Sequence, residues 1–408
     1  MSGRDFLFLV QQPWDLGIGS NARNLALELA KNHRVLYVNI PLDRITLLRN
    51  KPEDRDFIER RKAVLHRKKA PLEQISERLW TFDPPVVIES INWMPEALFA
   101  GFNRRNNLRL AREYRKALRQ LGFQNWILFN DSEMFRAQYM VELLEPSVSV
   151  YYSRDNLIST AYFSKHGPRW EPQLMAQSDL CVANSLYLTE LCAKHNPNSH
   201  YIGQGCELEL FQPDSTRPRP SDLPSGHRPL IGYVGVLFSM RLDEPLLLGL
   251  SRSRPDWDFV LIGPEDEVFR HSDLHQQPNV FFLGAKKPAE LPGYMQWFDV
   301  AINPQVLNEM TIGNYPRKID EYLSMGLPVV ATHTAAMEAF AAHCALAQGL
   351  ESWITALENA LGPNQREKAG LRIEFARSHT WENSALRLLK AIETTEHNAS
   401  WNKEDSMA

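Results

Sequence analysis

The stretch Asn314-Tyr315-Pro316-Arg317-Lys318-Ile319-Asp320-Glu321-Tyr322-Leu323-Ser324-Met325-Gly326-Leu327-Pro328-Val329-Val330-Ala331-Thr332 sets out a loop, a helix, a sharp stop and a buried strand. Pro316 suits the first helical position, where its missing N–H would have had no partner. Gly326 suits the residue after the helix, where φ turns positive. Leu327 to Thr332 is a short apolar strand with Pro328 near its start, where no ladder donor is needed. The helix start then presents free N–H groups and the positive end of its dipole, which together make an anion site. Lys318 and Glu321 stand three apart and share a face. A lysine there can meet a phosphate, and a carboxylate can take two hydroxyls of a ribose. The pair suits a nucleoside diphosphate.

Upstream, the same alternation of apolar runs and helical periods repeats. Strands are expected at 229–234, 258–263, 280–284 and 299–303, and helices at 242–251, 290–297, 350–362 and 371–392. Gly235, Gly263 and Gly284 each follow a strand, where a missing side chain lets backbone N–H groups approach a ligand. Arg241, six residues after Gly235, can return as a phosphate donor; a turn glycine and a surface arginine are the plainer reading. The first half reads alike. Strands are expected at 6–10, 34–39, 79–82, 126–129, 147–152, 180–183 and 199–202, and helices at 21–31, 108–120, 172–177 and 185–194. A proline-rich linker, 214–229, separates two α/β series. The organisation expected is an N-terminal domain over 1–213, a C-terminal domain over 230–375, a helix over 376–394 that returns to the first domain, and a disordered tail over 395–408.

At 408 residues the chain suits two domains of ~150–200 residues. Apolar content of 44% and charged content of 23% are those of ordinary globular protein. A net charge of −4 gives no global pull toward nucleic acid. The four cysteines have neither metal nor redox spacing, and read as reduced thiols of a cytoplasmic protein. No run opens the chain as a signal peptide, and none approaches the ~20 apolar residues of a membrane span. His271 and His275 have the one spacing that suits a metal on a helix face. No further ligand completes a motif, so they read as surface histidines and no metal is expected. The basic stretch Arg49–Lys69 reads either as a solvated face or as a contact with anionic lipid. Aromatics are too sparse there for a nucleic-acid platform.

The block Lys318, Glu321, Tyr322, Leu323, Gly326, Pro328, Val329 and Val330 resembles the nucleotide-sugar site of GT-B fold glycosyltransferases, family 4 in particular. The resemblance implies an α/β GT-B fold, two Rossmann-like doubly wound domains facing across a cleft. It also implies transfer of a sugar from a nucleotide-sugar to a hydroxyl of a glycan or lipid-linked glycan, in surface polysaccharide synthesis. The enzyme would retain configuration, need no cofactor besides its donor, and work in the cytoplasm; the lipid reading of Arg49–Lys69, the alternative to a solvated face, would add peripheral contact at the inner membrane face. Glu321 would hold the ribose, while Arg241, Lys318 and the helix start at Asn314 would hold the diphosphate. The loops after Gly263 and Gly284 would line the nucleotide, with the backbone of Ala285 and Lys286 near the base. Many members carry a second glutamate eight residues before the first; here that position is Gly313, with Glu309 and Asn314 nearby.

In the first half, Gly17-x-Gly19-x-x-Ala22 nearly matches a dinucleotide fingerprint. The second strand ends at Asn39, however, not at an acid that could hold an adenosine ribose. The resemblance instead puts this glycine loop across the cleft from the diphosphate. Asp155 matches a family position close to the anomeric carbon, where a carboxylate could serve the acceptor; a helix N-cap is the alternative. Asp131 reads as an N-cap for a helix from Met134. Trp381 reads as an anchor for the returning helix or as a core aromatic. Two other classes stay open: a nicotinamide or flavin oxidoreductase using Gly17 and Gly19, and a non-catalytic partner of GT-B shape.

Overall fold

A computed structural model describes residues 3–15, 20–206, 208–308, 311–313, 315–365 and 367–405, with the side chains of Glu53 and 399–405 left aside. Gly17, Gly19, Glu309 and Asn314 lie outside the described residues. The chain divides into two compact units, Met1–Gly203 with Ser384–Ala408, and Gln204–Asn383.

The first unit is built on an eight-stranded sheet in the order Ser199–Tyr201, Leu180–Ala183, Val148–Ser153, Ile127–Asp131, Asp5–Val10, Arg34–Val38, Leu79–Phe82, Leu72–Ser76. Its strands run parallel except the edge strand Leu72–Ser76. Unbroken runs such as Phe6-Leu7-Phe8 are fully buried, because helices cover both faces of a parallel sheet. On one face Leu7, Leu36 and Val38 pack against Leu110, Tyr114 and Leu118. Those three belong to a helix that spans Glu96–Leu121, starting well before the expected Leu108. Asn103, Asn106 and Asn107 make this stretch a poor helix by propensity. Tertiary bonds compensate: Asn106 accepts from the Glu89 N–H and donates to the Glu89 carbonyl, both at 2.9 Å, and Asn107 donates to the Phe135 carbonyl at 2.9 Å.

Three further expectations are corrected. The helix expected to open at Pro172 runs Gly167–Gln177, with Pro168 in its first turn and Pro172 inside it. Residues 134–139 form turns and the next helix, Met140–Leu144, has Tyr139 at its cap; Asp131 ends the strand Ile127–Asp131. The tail expected to be disordered from residue 395 continues the last helix to Asp405, held where Glu396 pairs with Arg4 and Thr395 accepts from Asn198 at 2.9 Å.

The second unit holds a six-stranded parallel sheet in the order Val280–Phe282, Asp258–Ile262, Leu230–Val234, Val300–Asn303, Val329–Thr332, Ala345–Ala347. The strand order reverses between Leu230–Val234 and Val300–Asn303, the switch point of a doubly wound sheet. The proline-rich stretch is not a free linker, since Phe211 and Leu223 are core residues of this unit. The helix expected over 371–392 is broken into Ala369–Arg377 and Trp381–Asp405. His379 lies in the break, its Nδ1 2.7 Å from the buried Asp320 carboxylate. Trp381 packs on Gly205, where an added Cβ would lie 2.4 Å from the indole.

In the first unit Tyr151 donates to Glu171 at 2.5 Å, and burial pushes the Glu171 carboxyl up to about 7 against that bond. The folded state thus binds this proton more tightly than the unfolded chain, so stability falls as pH rises from about 4.5 to about 7 and levels off above. Glu171→Gln is expected to remove up to about 3 kcal/mol of that slope, as read from denaturant unfolding at pH 5 and pH 8.

Candidate functional site

Helix Arg317–Ser324 begins one residue later than expected, so that Pro316 takes the N-cap place and not the first helical position. Its end is a Schellman motif: Leu327 N–H bonds the Tyr322 carbonyl at 3.1 Å, Gly326 N–H bonds the Leu323 carbonyl at 2.9 Å, and Gly326 has φ +74°. Between these ends the helix sends two side chains to the strand Leu230–Val234. Tyr322 is fully buried and its hydroxyl accepts from the Val234 N–H at 2.8 Å. Lys318 reaches the Tyr233 hydroxyl at 2.5 Å and lies 4.0 Å from the centre of that ring.

These two contacts set the Lys318 ammonium against Gly235. A Cβ on Gly235 would stand 2.7 Å from Lys318 Nζ, and the residue has φ +146°. Gly263 is tighter still, since a Cβ there would fall 1.8 Å from the Gly235 carbonyl oxygen. Gly235 N–H in turn bonds the Ile262 carbonyl at 2.9 Å. The loops after the strands Leu230–Val234, Asp258–Ile262 and Val300–Asn303 are laced together by bridges from Leu237 to Glu265 and from Leu242 to Gln305. Asp266 adds to this by accepting from the Ser239 N–H and hydroxyl, both at 2.7 Å. Arg241 is fixed through its backbone, N–H to Phe238 and carbonyl to Val306, while its side chain is exposed. The Lys318 ammonium and the backbone that carries Arg241 thus meet at one loop cluster at the carboxyl edge of the sheet, the cationic part of an anion site.

Glu321 is half-buried on the same helix. Its neighbour Asp320 is fully buried and accepts from Tyr315 at 2.7 Å while facing His379. Burial pushes the Asp320 carboxyl up against the opposing pull of His379 and Tyr315. Gly313 is buried in the loop before the helix, and that loop is tied by Gln305 donating to the Thr311 carbonyl at 2.6 Å. Gly284 has φ +66° and open space where a Cβ would stand. The Lys286 side chain is drawn to Asp222 at 2.7 Å. His271 and His275 do not converge. The first bonds its own helix at the Glu267 carbonyl, and the second bonds Glu265 while stacked on Phe282.

In the first unit, Asp155 follows the strand Val148–Ser153 and lies 3.5 Å from the Arg154 guanidinium. It precedes the residue at the cap position of the next short helix, which is Asn156. Arg154 also meets the fully buried Asp131 at 2.9 Å, as a charge contact without hydrogen-bond alignment. Burial opposes the charge on Arg154, and Asp131 and Asp155 more than restore it. Local sequence gives Tyr233, Tyr322 and Arg154 no such positions; a tyrosine between Gly232 and Gly235 is the available signal for the first. Gly232 itself serves packing, since a Cβ there would meet the Phe298 ring at 2.1 Å.

Residues 229–361 match the model of the family described as glycosyl transferases group 1, which covers the whole loop cluster built above. A candidate teichuronic acid biosynthesis glycosyltransferase, TuaH of Bacillus subtilis (strain 168), is 27% identical over 240 residues. That alignment spans 56% of this chain and 60% of the relative, so the match covers less than two thirds of TuaH. Among solved structures, sucrose-phosphate synthase from Thermosynechococcus elongatus superposes with a TM-score of 0.63 at 15% identity, over 97% of this chain and 100% of that one. Anabaena Alr3699/HepE, solved with UDP and glucose, gives a TM-score of 0.60 at 15% identity, over 96% and 100%. The fold is that of the GT-B glycosyltransferases.

Tyr322→Phe leaves the Val234 N–H buried without its acceptor. It is expected to lower unfolding stability by about 1–3 kcal/mol, measured by the denaturant midpoint with no change in slope.

Proposed function

We propose that this protein is a glycosyltransferase. It moves a sugar from a nucleotide-sugar to a hydroxyl of a glycan or lipid-linked glycan, with retention of configuration, in the synthesis of a surface polysaccharide. The observation that carries this reading is the Lys318 ammonium seated on Tyr233 against the bare Gly235 backbone, at the start of the helix that also bears Glu321. In the proposed reaction the bond from the anomeric carbon to the diphosphate oxygen breaks, a new bond forms to the acceptor oxygen, and the acceptor hydroxyl's proton passes to the departing diphosphate. Negative charge collects on the departing diphosphate, where Lys318, Arg241 and the start of the helix Arg317–Ser324 meet it in place of a metal ion. Glu321 takes the ribose hydroxyls. Gly235, Gly263 and Gly284 leave room for the nucleotide. Asp155, steadied by Arg154, serves the acceptor side. The family match over this loop cluster supports the donor role, and the polysaccharide pathway named for TuaH supports the acceptor class.

The oxidoreductase reading loses ground at Asn39. Its side chain accepts from the Trp14 N–H at 2.7 Å and donates to Asp83 at 2.6 Å, so it is occupied where a dinucleotide would need a ribose ligand. Thermal melting against UDP, GDP, ADP, dTDP, NAD and FAD separates the readings. A nucleoside diphosphate at 100 times its Kd adds ~2.7 kcal/mol, and Glu321→Ala is expected to abolish the shift. A shift with NAD or FAD alone would overturn the proposal. Turnover is expected to survive EDTA.

We extend the proposal to peripheral contact with anionic membrane. Among the described residues no helix is long and apolar enough to cross a membrane. Within Arg49–Lys69, Arg61 is excluded from such contact, being 2% exposed and paired with Asp83 at 2.9 Å. Arg55, Arg67 and Lys68 are exposed, and so is Leu48, at 76%. Each basic residue near an anionic surface gains ~1 kcal/mol, so replacing these three by alanine should cut binding to phosphatidylserine vesicles by about two orders of magnitude. Cosedimentation unchanged by the replacements would rule the contact out.

A further inference from the structure

The first unit holds a cavity of about 650 Å³, well inside the size range of small-ligand sites. Its walls come from helix Arg44–Arg49, the segment 88–93, helix Glu96–Leu121, and residues 161–165. Two of its lining amides carry atoms with no protein partner. Asn103 is 2% exposed and its Nδ2 is an unused donor; Asn92 Oδ1 is a buried, unused acceptor. Unmet polar atoms of this kind call for a partner, a water or a ligand group. A donor and an acceptor lining one cavity fit hydroxyl groups, which both give and take a hydrogen bond.

The rim adds two further chemistries. Trp93 and Tyr162 are 65% and 58% exposed, large aromatic faces of the kind that cover the apolar side of a sugar ring. They are held in place, since Trp93 Nε1 donates to the Ser90 carbonyl at 2.8 Å and Asn92 Nδ2 donates to the Tyr162 carbonyl at 2.6 Å. Arg49 and Lys165 also line the cavity, and among the described residues neither is paired with a carboxylate. Lys165 donates to the Trp93 carbonyl at 2.7 Å. The acids of the cavity are already engaged. Asp43 accepts from the Ile45 and Thr46 N–H groups, and Glu89 is paired with Arg44 at 2.7 Å. Arg136 is offset by Glu133. The cavity is left with positive charge, aromatic faces and unmet amides.

We propose that this cavity seats an anionic saccharide, a sugar bearing a carboxylate or a phosphate. The charge is met by Arg49 and Lys165, the hydroxyls by Asn92 and Asn103, and the ring by Trp93. Its role as the acceptor rests on the transferase reading above; its binding does not.

The test is calorimetric titration of the full chain, without nucleotide, with a uronic-acid tetrasaccharide, its carboxyl-reduced neutral counterpart, and a sugar 1-phosphate. The anionic sugars are expected to bind about tenfold or more tighter than the neutral one, as charge-assisted bonds imply. Lys165→Ala and Arg49→Ala, both at exposed positions, should erase that preference. Asn103→Ala should weaken anionic and neutral sugars alike. The tighter of the carboxylate and phosphate probes identifies the anion. Phosphate binding that survives Lys165→Ala belongs to another site and counts against the proposal. Equal affinity for charged and neutral sugars would overturn it. So would an anion preference indifferent to both cation replacements. Nucleotide melting shifts, measured on the same protein, separate the two readings. A nucleotide shift without saccharide binding sinks this inference alone, and saccharide binding without a nucleotide shift sinks the transferase reading and leaves the site.

Discussion

The second unit depends on one close approach. The Gly235 carbonyl lies so near residue 263 that any Cβ there would fall within 1.8 Å of it. Two crossover loops can therefore meet only through bare backbone. Once they meet, the strand end at Val234 can be pinned by the Tyr322 hydroxyl, and Tyr233 can receive Lys318. The ammonium is consequently set at a fixed place beside exposed peptide groups rather than swinging on a flexible stem. Preorganisation of this kind lets a lysine act as a point of charge stabilisation without reorienting as a reaction proceeds.

The helix that carries Lys318 and Glu321 is held from behind as well. Asp320, between them and the core, meets Tyr315 and His379, and His379 occupies the break before the last helix. Burying an acid without partners would be costly, so its three-way contact restricts how the helix can rotate about its axis. Rotation would move Lys318 and Glu321 together. The neighbouring residues of the motif thus divide the work: Ile319, Asp320 and Tyr322 are buried and fix the direction of the half-buried Lys318 and Glu321.

Much of the fold was legible in the sequence. Unbroken apolar runs such as Phe6–Val10 and Asp258–Ile262 can only be strands covered on both faces, and glycine at 326 stopped a helix where a positive φ was needed. Legibility failed where long-range partners override local preference. Asn103, Asn106 and Asn107 argue against a helix until the Glu89 and Phe135 backbone groups they satisfy are known. Pro172 reads as a helix start, but Pro168 holds that role and its neighbour is carried inside the helix. Asp131 reads as a cap, yet its partner Arg154 comes from the next strand's loop.

By itself the sequence determined the two α/β series, the positions of the strand-ending glycines, and the pairing of Lys318 with Glu321 on one helical face. These follow from periodicity, backbone sterics and spacing along a single helix, all of which are local. Only the tertiary structure decided that Tyr233 receives Lys318, that Gly263 must be bare because of Gly235, and that Asn92 and Asn103 keep unmet polar atoms beside two cations. Each of those is a distance between residues far apart in the chain, and such distances are set by packing, which no local pattern encodes.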